Sequence, residues 1–181
     1  MNNTANIQDY STRIKTGKKI EHQIIAALRD RGMNIDSPSP HEDMRDKIDG
    51  WMIDPTGVRH SVQIKYRESG DDIIFEIIKD IQKNIFGRDI ESKAQFYIVV
   101  DRQGTGRMYS TILIKSWARK MLAMVQKSYS VNPAQTEWKG NQGHHLWELK
   151  ITLDRAHGQR KLMAYMSPYM FEAIEQWNNL I

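Results

Sequence analysis

IDGWMIDPTGVRHSVQIKYR, residues 48–67, is the stretch around which the chain is organised. Asp54-Pro55-Thr56-Gly57 is a turn with Pro second and Gly fourth, set between two runs rich in β-branched and aromatic residues. The stretch therefore reads as a β-hairpin. Along its second strand Val58, Val62, Ile64 and Tyr66 point one way and Arg59, Ser61, Gln63, Lys65 and Arg67 the other, with His60 the exception among the apolar set.

The polar face has the residue types for phosphodiester chemistry. Metal-assisted hydrolysis needs oxygen ligands for the ion and a nearby cation to orient water and offset charge on the phosphate. Asp49 offers the first and Lys65 the second. Gln63 leaves the strand on the Lys65 side, so its amide oxygen can serve as a neutral ligand, and the Ile64 carbonyl between them as another. An ordinary amphipathic hairpin, with a solvated polar face and a cross-strand Asp49–Lys65 pair, fits the same pattern.

An Asp, a hairpin turn and then (Asp/Glu)-x-Lys resembles the signature of the PD-(D/E)xK phosphodiesterase superfamily, with Asp49, Gln63 and Lys65 at its three positions. Asp49-Gly50 followed by Gln63-Ile64-Lys65 is similar to the Mrr-type restriction endonuclease variant. The chain departs from the superfamily pattern in having no Pro before Asp49 and Gln in place of the usual acid at 63. The resemblance covers about residues 16–100. It implies an α/β fold: a restriction endonuclease-like mixed β-sheet flanked by helices, here with a C-terminal β-hairpin and helix. It also implies a Mg2+- or Mn2+-dependent nuclease, an endonuclease on DNA with RNA left open, with Asp49, Gln63, Lys65 and Glu21 as catalytic residues. Glu21 resembles the helix acid that completes the metal site in many members and would restore the charge missing at 63. On spacing alone it is equally a surface Glu in an ion pair. A single site of this kind cuts one strand, so cutting both calls for a homodimer or sequential nicking. The alternative is a nuclease-like fold without catalysis, serving as a nucleic-acid-binding or protein-interaction module.

At 181 residues, 40% hydrophobic and 27% charged, the composition is that of a globular chain. Residues 1–15 read as a flexible leader and 16–181 as one domain, with a core over about 16–127 and an extension over about 128–181. No apolar run approaches the roughly 18 residues of a membrane span, and the N-terminal stretch has no secretory pattern. The absence of Cys rules out disulfides and Cys-based zinc sites and fits a reducing cytoplasm, which the resemblance would make that of a microbe or a phage-infected host. A net charge of +4 favours an anionic partner.

Taken in order, a first helix is expected from Thr16 to Arg31, stopped by Gly32, with Ile20, Ile24, Ala27 and Leu28 as its apolar stripe. Lys18 and Lys19 on it, with Arg67 after the hairpin and Lys115, Arg119 and Lys120 on a later helix, are the candidate nucleic-acid contacts. Asp46 and Asp54 compete with Asp49 for the metal role but read as strand-entry and turn residues. A third strand is expected near 73–77, from which Glu76 could approach the site, then a helix to Phe86. Ala94–Val100 reads as a buried central strand. Gln103-Gly104-Thr105-Gly106 lacks the Lys-Ser/Thr of a phosphate loop and reads as a turn. Tyr109–Ile114 is a short strand or runs straight into a helix over about Lys115–Lys127. Residues 128–143 read as turns, 146–153 and 161–166 as a hairpin, and the end as a helix from Ser167-Pro168 with Phe171, Ile174 and Trp177 packed.

Overall fold

The computed structural model describes residues 3–70, 72–154 and 157–181. In chain order its elements are α1 (Asn3–Asp30), β1 (Asn34–Asp36), a single π-helical turn (Glu42–Asp46), β2 (Gly50–Ile53), β3 (Arg59–Tyr66), β4 (Ile73–Asp80) and β5 (Ile85–Phe86). There follow α2 (Arg88–Glu91), β6 (Phe96–Val100), β7 (Gly106–Ser110), α3 (Thr111–Val131), β8 (Glu137–Gln142), β9 (His145–Asp154), β10 (Gln159–Met166) and β11 (Glu175–Trp177). The fold is α/β. Instead of one mixed sheet there are two among the described residues: a mixed one ordered β1-β2-β3-β6-β7-β11 and an antiparallel one ordered β5-β4-β10-β9-β8.

The hairpin forms where it was expected. β2 and β3 pair antiparallel with Gly50 opposite Val62, and β3 pairs parallel with β6 with Gln63 opposite Tyr97. Asp54 organises the turn, its Oδ1 accepting from the Thr56 and Val58 amides at 2.8 and 3.0 Å. His60 is accommodated by Asp54 Oδ2 at 3.1 Å and by the Phe96 ring at 5.4 Å.

β6 lies between two apolar layers, which is why its sequence is apolar throughout. Ile98 and Val100 join Val62, Ile64 and Met108 against Ile24, Ile25 and Leu28 of α1. Tyr97 and Val99 face the other way, into a core made with Ile73, Phe75 and Ile77 of β4, Leu162 and Ala164 of β10, and Trp117 and Leu122 of α3. Ile24 and Leu28 are fully buried, each contributing about 1.5–3 kcal/mol. α1 ends as expected at Gly32, whose φ of +84° permits the Met33 amide to reach the Leu28 carbonyl.

Four expectations are corrected. The first helix starts at Asn3 and not near Thr16, and no Pro or Gly interrupts 3–15. The helix expected up to Phe86 is absent. β4 continues to Asp80 because β10 supplies its ladder partners and Ile73, Phe75 and Ile77 alternate into the core. Asp80 Oδ1 then accepts from the Gln82 and Lys83 amides and Asn84, at φ +51°, turns the chain back into β5. In the stretch read as turns, α3 continues to Val131 and Glu137–Gln142 forms β8, whose Trp138 is buried. The terminal helix is also absent. Phe171 and Trp177 pack into different cores, which one helical face cannot do, and Glu175–Trp177 pairs with β7 as an edge strand. Among the described residues no helix is long and apolar enough to cross a membrane.

Candidate active site

The site forms where β2 stops and leaves the edge of β3 open. Asp49, one residue before β2, donates its amide to the Val62 carbonyl at 2.8 Å and accepts the Ile64 amide on Oδ2 at 2.7 Å. Its side chain thus stands in for the next ladder partner. A strand residue sends its N–H and C=O out along the same edge, so the Ile64 carbonyl also opens toward Asp49. Gly50 follows because a Cβ there would come within 3.2 Å of Ile35 and 3.3 Å of Val62. Asp49 is 4% exposed, and burial pushes its carboxyl up against the opposing pull of the Ile64 amide, Lys65 and Arg88.

Glu21 reaches the same place from α1. Glu21, Asp43 and Asp49 line a cleft of about 320 Å³ with Lys18 and His22. Burial, then the neighbouring Asp49 and Asp43 charges, push Glu21 up to about 7. Two acids in this cleft are therefore short of countercharge. Arg88 partly supplies it, with Nη2 at 3.2 Å from Asp49 Oδ1 and 3.7 Å from Asp43 Oδ1.

Gln63 and Lys65 leave β3 on the face away from α1, where β4 and α2 cover them. Both meet Asp89. Gln63 Nε2 donates to Asp89 Oδ1 at 2.8 Å, Lys65 Nζ lies 2.9 Å from the same oxygen, and the Glu76 amide donates to Oδ2 at 2.7 Å. Asp89 is 4% and Gln63 0% exposed. The Gln63 amide oxygen has no hydrogen-bond partner among the described residues, a condition that costs about 1–3 kcal/mol unless a cation or water fills it. Gly87 makes the α2 approach possible, since a Cβ there would run into the Glu76 carbonyl. Glu76 borders the site, its Oε1 accepting the Arg88 amide at 2.9 Å and its Oε2 3.2 Å from Lys161.

Asp49, Glu21 and the Ile64 carbonyl thus share one edge, and Gln63 and Lys65 share the adjoining face. The rivals are occupied elsewhere, Asp54 in its turn and Asp46 with Lys93 at 2.8 Å. Asp89 and Arg88 are additions that the sequence reading missed, whereas Asp43 comes from the acidic run before β2 that also holds Asp46. The only hint was Gly87 directly before an Arg-Asp pair. Among the described residues no group of three or more His, Asp or Glu side chains is already arranged around one point, so an ion here would also draw on the Gln63 amide and Ile64 carbonyl oxygens.

The candidate nucleic-acid residues divide. Lys19, Arg119 and Lys120 are exposed, and Lys18 is exposed with Asp43 at 3.1 Å. Arg67 is half-buried and donates to the Asp72 carbonyl, while Lys115 reaches the Ser92 carbonyl and is pushed down by burial. A larger cleft of about 790 Å³, walled by Trp147, Tyr165 and Tyr169, lies on the second sheet and contains none of these residues. Comparison with models of protein families, with curated proteins and with solved structures finds no match.

Proposed function

We propose that the chain is a Mg2+- or Mn2+-dependent endonuclease that hydrolyses DNA phosphodiester bonds. The observation that carries this reading is the convergence of Glu21, Asp43 and Asp49 in one cleft, where burial first and the two neighbouring acids next push Glu21 up to about 7. Buried acids in that condition bind cations, because a cation removes both the repulsion and part of the desolvation cost. The unpartnered Gln63 oxygen supports the same reading.

Asp49 and Glu21 would hold the ion, with Gln63 Oε1 and the Ile64 carbonyl as neutral ligands. The cation would supply Lewis acidity and countercharge at the phosphodiester. Asp89 holds the Lys65 ammonium along the Gln63 face at 2.9 Å, from where it would orient the attacking water and offset charge growing on the phosphate oxygens. Lys18, Lys19, Arg119 and Lys120 would take flanking phosphates, so binding weakens steeply with salt.

The deciding experiment is cleavage of labelled single-stranded, duplex and branched DNA with Mg2+ or Mn2+. Wild type is expected to cut, and Lys65→Ala and Asp49→Ala to lose at least about 100-fold in rate. Cutting that survives both substitutions refutes the assignment.

A second reading, the inactive binding module, is favoured by one contact. Arg88 already gives Asp49 a cationic partner within the protein. It predicts DNA retention in a shift assay with no Mn2+ uptake by calorimetry.

A further inference from the structure

The geometry points to Arg88 as an exchangeable cation. It holds Asp49 while no divalent ion is bound, and it passes to a phosphate of the nucleic acid when one binds. This rests on the nuclease reading above and adds a residue and a switching step to it.

Asp49 has two carboxylate oxygens with different duties. Oδ2 is committed to the sheet edge through the Ile64 amide at 2.7 Å. Oδ1 is the oxygen that carries the Arg88 guanidinium, at 3.2 Å. An incoming ion that takes Oδ1 competes with Arg88 for it, since both bring positive charge to the same oxygen. The second anchor, Asp43 Oδ1, is 3.7 Å away, too far for a good hydrogen bond, so the guanidinium is held firmly only at Asp49.

The residue is built for such a move. Its side chain is 45% exposed, so it has water to move into. Its backbone is fixed, with the amide on Glu76 Oε1 at 2.9 Å and the next residue, Asp89, clamped by Gln63, Lys65 and the Glu76 amide. Motion is thereby confined to the side chain. Lys65 lacks this freedom, since it is paired with the buried Asp89. A divalent ion beside Asp49 and Glu21 repels the guanidinium, and a phosphodiester drawn to that ion offers the paired oxygens that a guanidinium fork matches.

The test measures Mn2+ binding to the full chain by electron paramagnetic resonance, in wild type, Arg88→Gln and Arg88→Lys, with circular dichroism to check folding. Removing the competitor is expected to tighten Mn2+ binding roughly fivefold in Arg88→Gln, with Arg88→Lys between it and wild type. The same Arg88→Gln protein is expected to bind a duplex oligonucleotide about tenfold more weakly in Ca2+. A second measurement needs no variant: in nitrogen-15 arginine spectra of wild type, Mg2+ is expected to release the restricted Arg88 guanidinium, and oligonucleotide to restrict it again. Equal or weaker Mn2+ binding in Arg88→Gln, or an Arg88 signal unmoved by Mg2+ that binds, overturns the exchange while leaving the nuclease reading intact. Mn2+ binding by neither protein overturns both.

Discussion

Replacing Asp89 by Asn tests whether one buried carboxylate holds the hairpin's polar face in place. Asp89 Oδ1 takes both Gln63 Nε2 and Lys65 Nζ, and Oδ2 takes the Glu76 amide, all within 2.9 Å. Asn has one acceptor oxygen. If it faces Gln63 and Lys65, its NH2 meets the Glu76 N–H donor; if it turns round, the NH2 meets two donors. Either way a buried donor loses its acceptor and Lys65 loses its charge partner. Breaking a fully buried pair costs about 3–5 kcal/mol, and with Lys65 30% exposed to water the expected cost is roughly 2–4 kcal/mol. For a chain of this length that lowers Tm by about 5–15 °C. Urea unfolding followed by tryptophan fluorescence measures it, with an unchanged m-value as the two-state check. The companion variant Gln63→Glu puts a carboxylate against Asp89 and is expected to destabilise on its own. In the double variant the Asn amide can donate to the new carboxylate, which also takes up Lys65, so at least about half of the summed loss should return as coupling. A cost below about 1 kcal/mol for Asp89→Asn, or strict additivity of the pair, would refute the clamp.

The remaining predictions concern the approach of α2 and the acids of the cleft. Gly87→Ala is expected to cost about 2–3 kcal/mol in denaturant unfolding, because the new methyl meets the Glu76 carbonyl and pushes α2 off β4. A loss under about 0.5 kcal/mol would show that the contact yields freely. Glu21 has its folded pKa raised from 4.5 to about 7, so the folded state holds a proton that the unfolded state has lost. Its contribution to stability is full below about pH 4.5 and disappears as pH rises through 7. Glu21→Gln is therefore expected to flatten the fall in stability across that window and, once solvent screening is allowed for, to be more stable than wild type at pH 8 by roughly 1–2 kcal/mol. A parallel pH profile for the two proteins would remove the cleft's strain from consideration.

Elements with a local turn motif or a continuous apolar run were legible, and those decided only by a distant partner were not. The hairpin carries its own turn chemistry in Asp54, Pro55 and Gly57, and its register follows from that turn. Likewise Gly32 stops α1 by a local motif. β4 was misread beyond Ile77 because Ile78 and Ile81 also fit a helical stripe, and only pairing with β10, about 85 residues later in sequence, decides for a strand. The C-terminal stretch failed for a related reason: Phe171, Ile174 and Trp177 have helical spacing, yet one reaches the Trp117 core, one stays half exposed and one reaches the α1 core. At the candidate site, Asp49, Gln63 and Lys65 come from one short motif, and the hairpin places them at neighbouring positions. Asp89 sits on a helix of four residues, too short to leave a periodic signal, and its role exists only once Gly87 lets α2 lie on β4.

That placement gives a reason for the amide at position 63. A carboxylate on β3 would sit 2.8 Å from Asp89 Oδ1, with Lys65 to share between them, and one of the two acids would have to stay protonated. Gln63 avoids the conflict by donating to Asp89 and still turning an oxygen outward from the clamp. The negative charge that a strand acid would bring is thus supplied one layer deeper, where it serves Lys65 and not the cleft. On the cleft side Glu21, Asp43 and Asp49 then have the partly exposed Lys18 and Arg88 beside them, with Lys65 acting on Asp49 from the other face. The two groups of acids thus differ in their partners: Asp89 is paired with Lys65 and Gln63, and the cleft brings Glu21, Asp43 and Asp49 together. Neutralising Glu21 would remove the cost of holding a buried acid beside Asp43 and Asp49, which is why Glu21→Gln is expected to gain stability above pH 7.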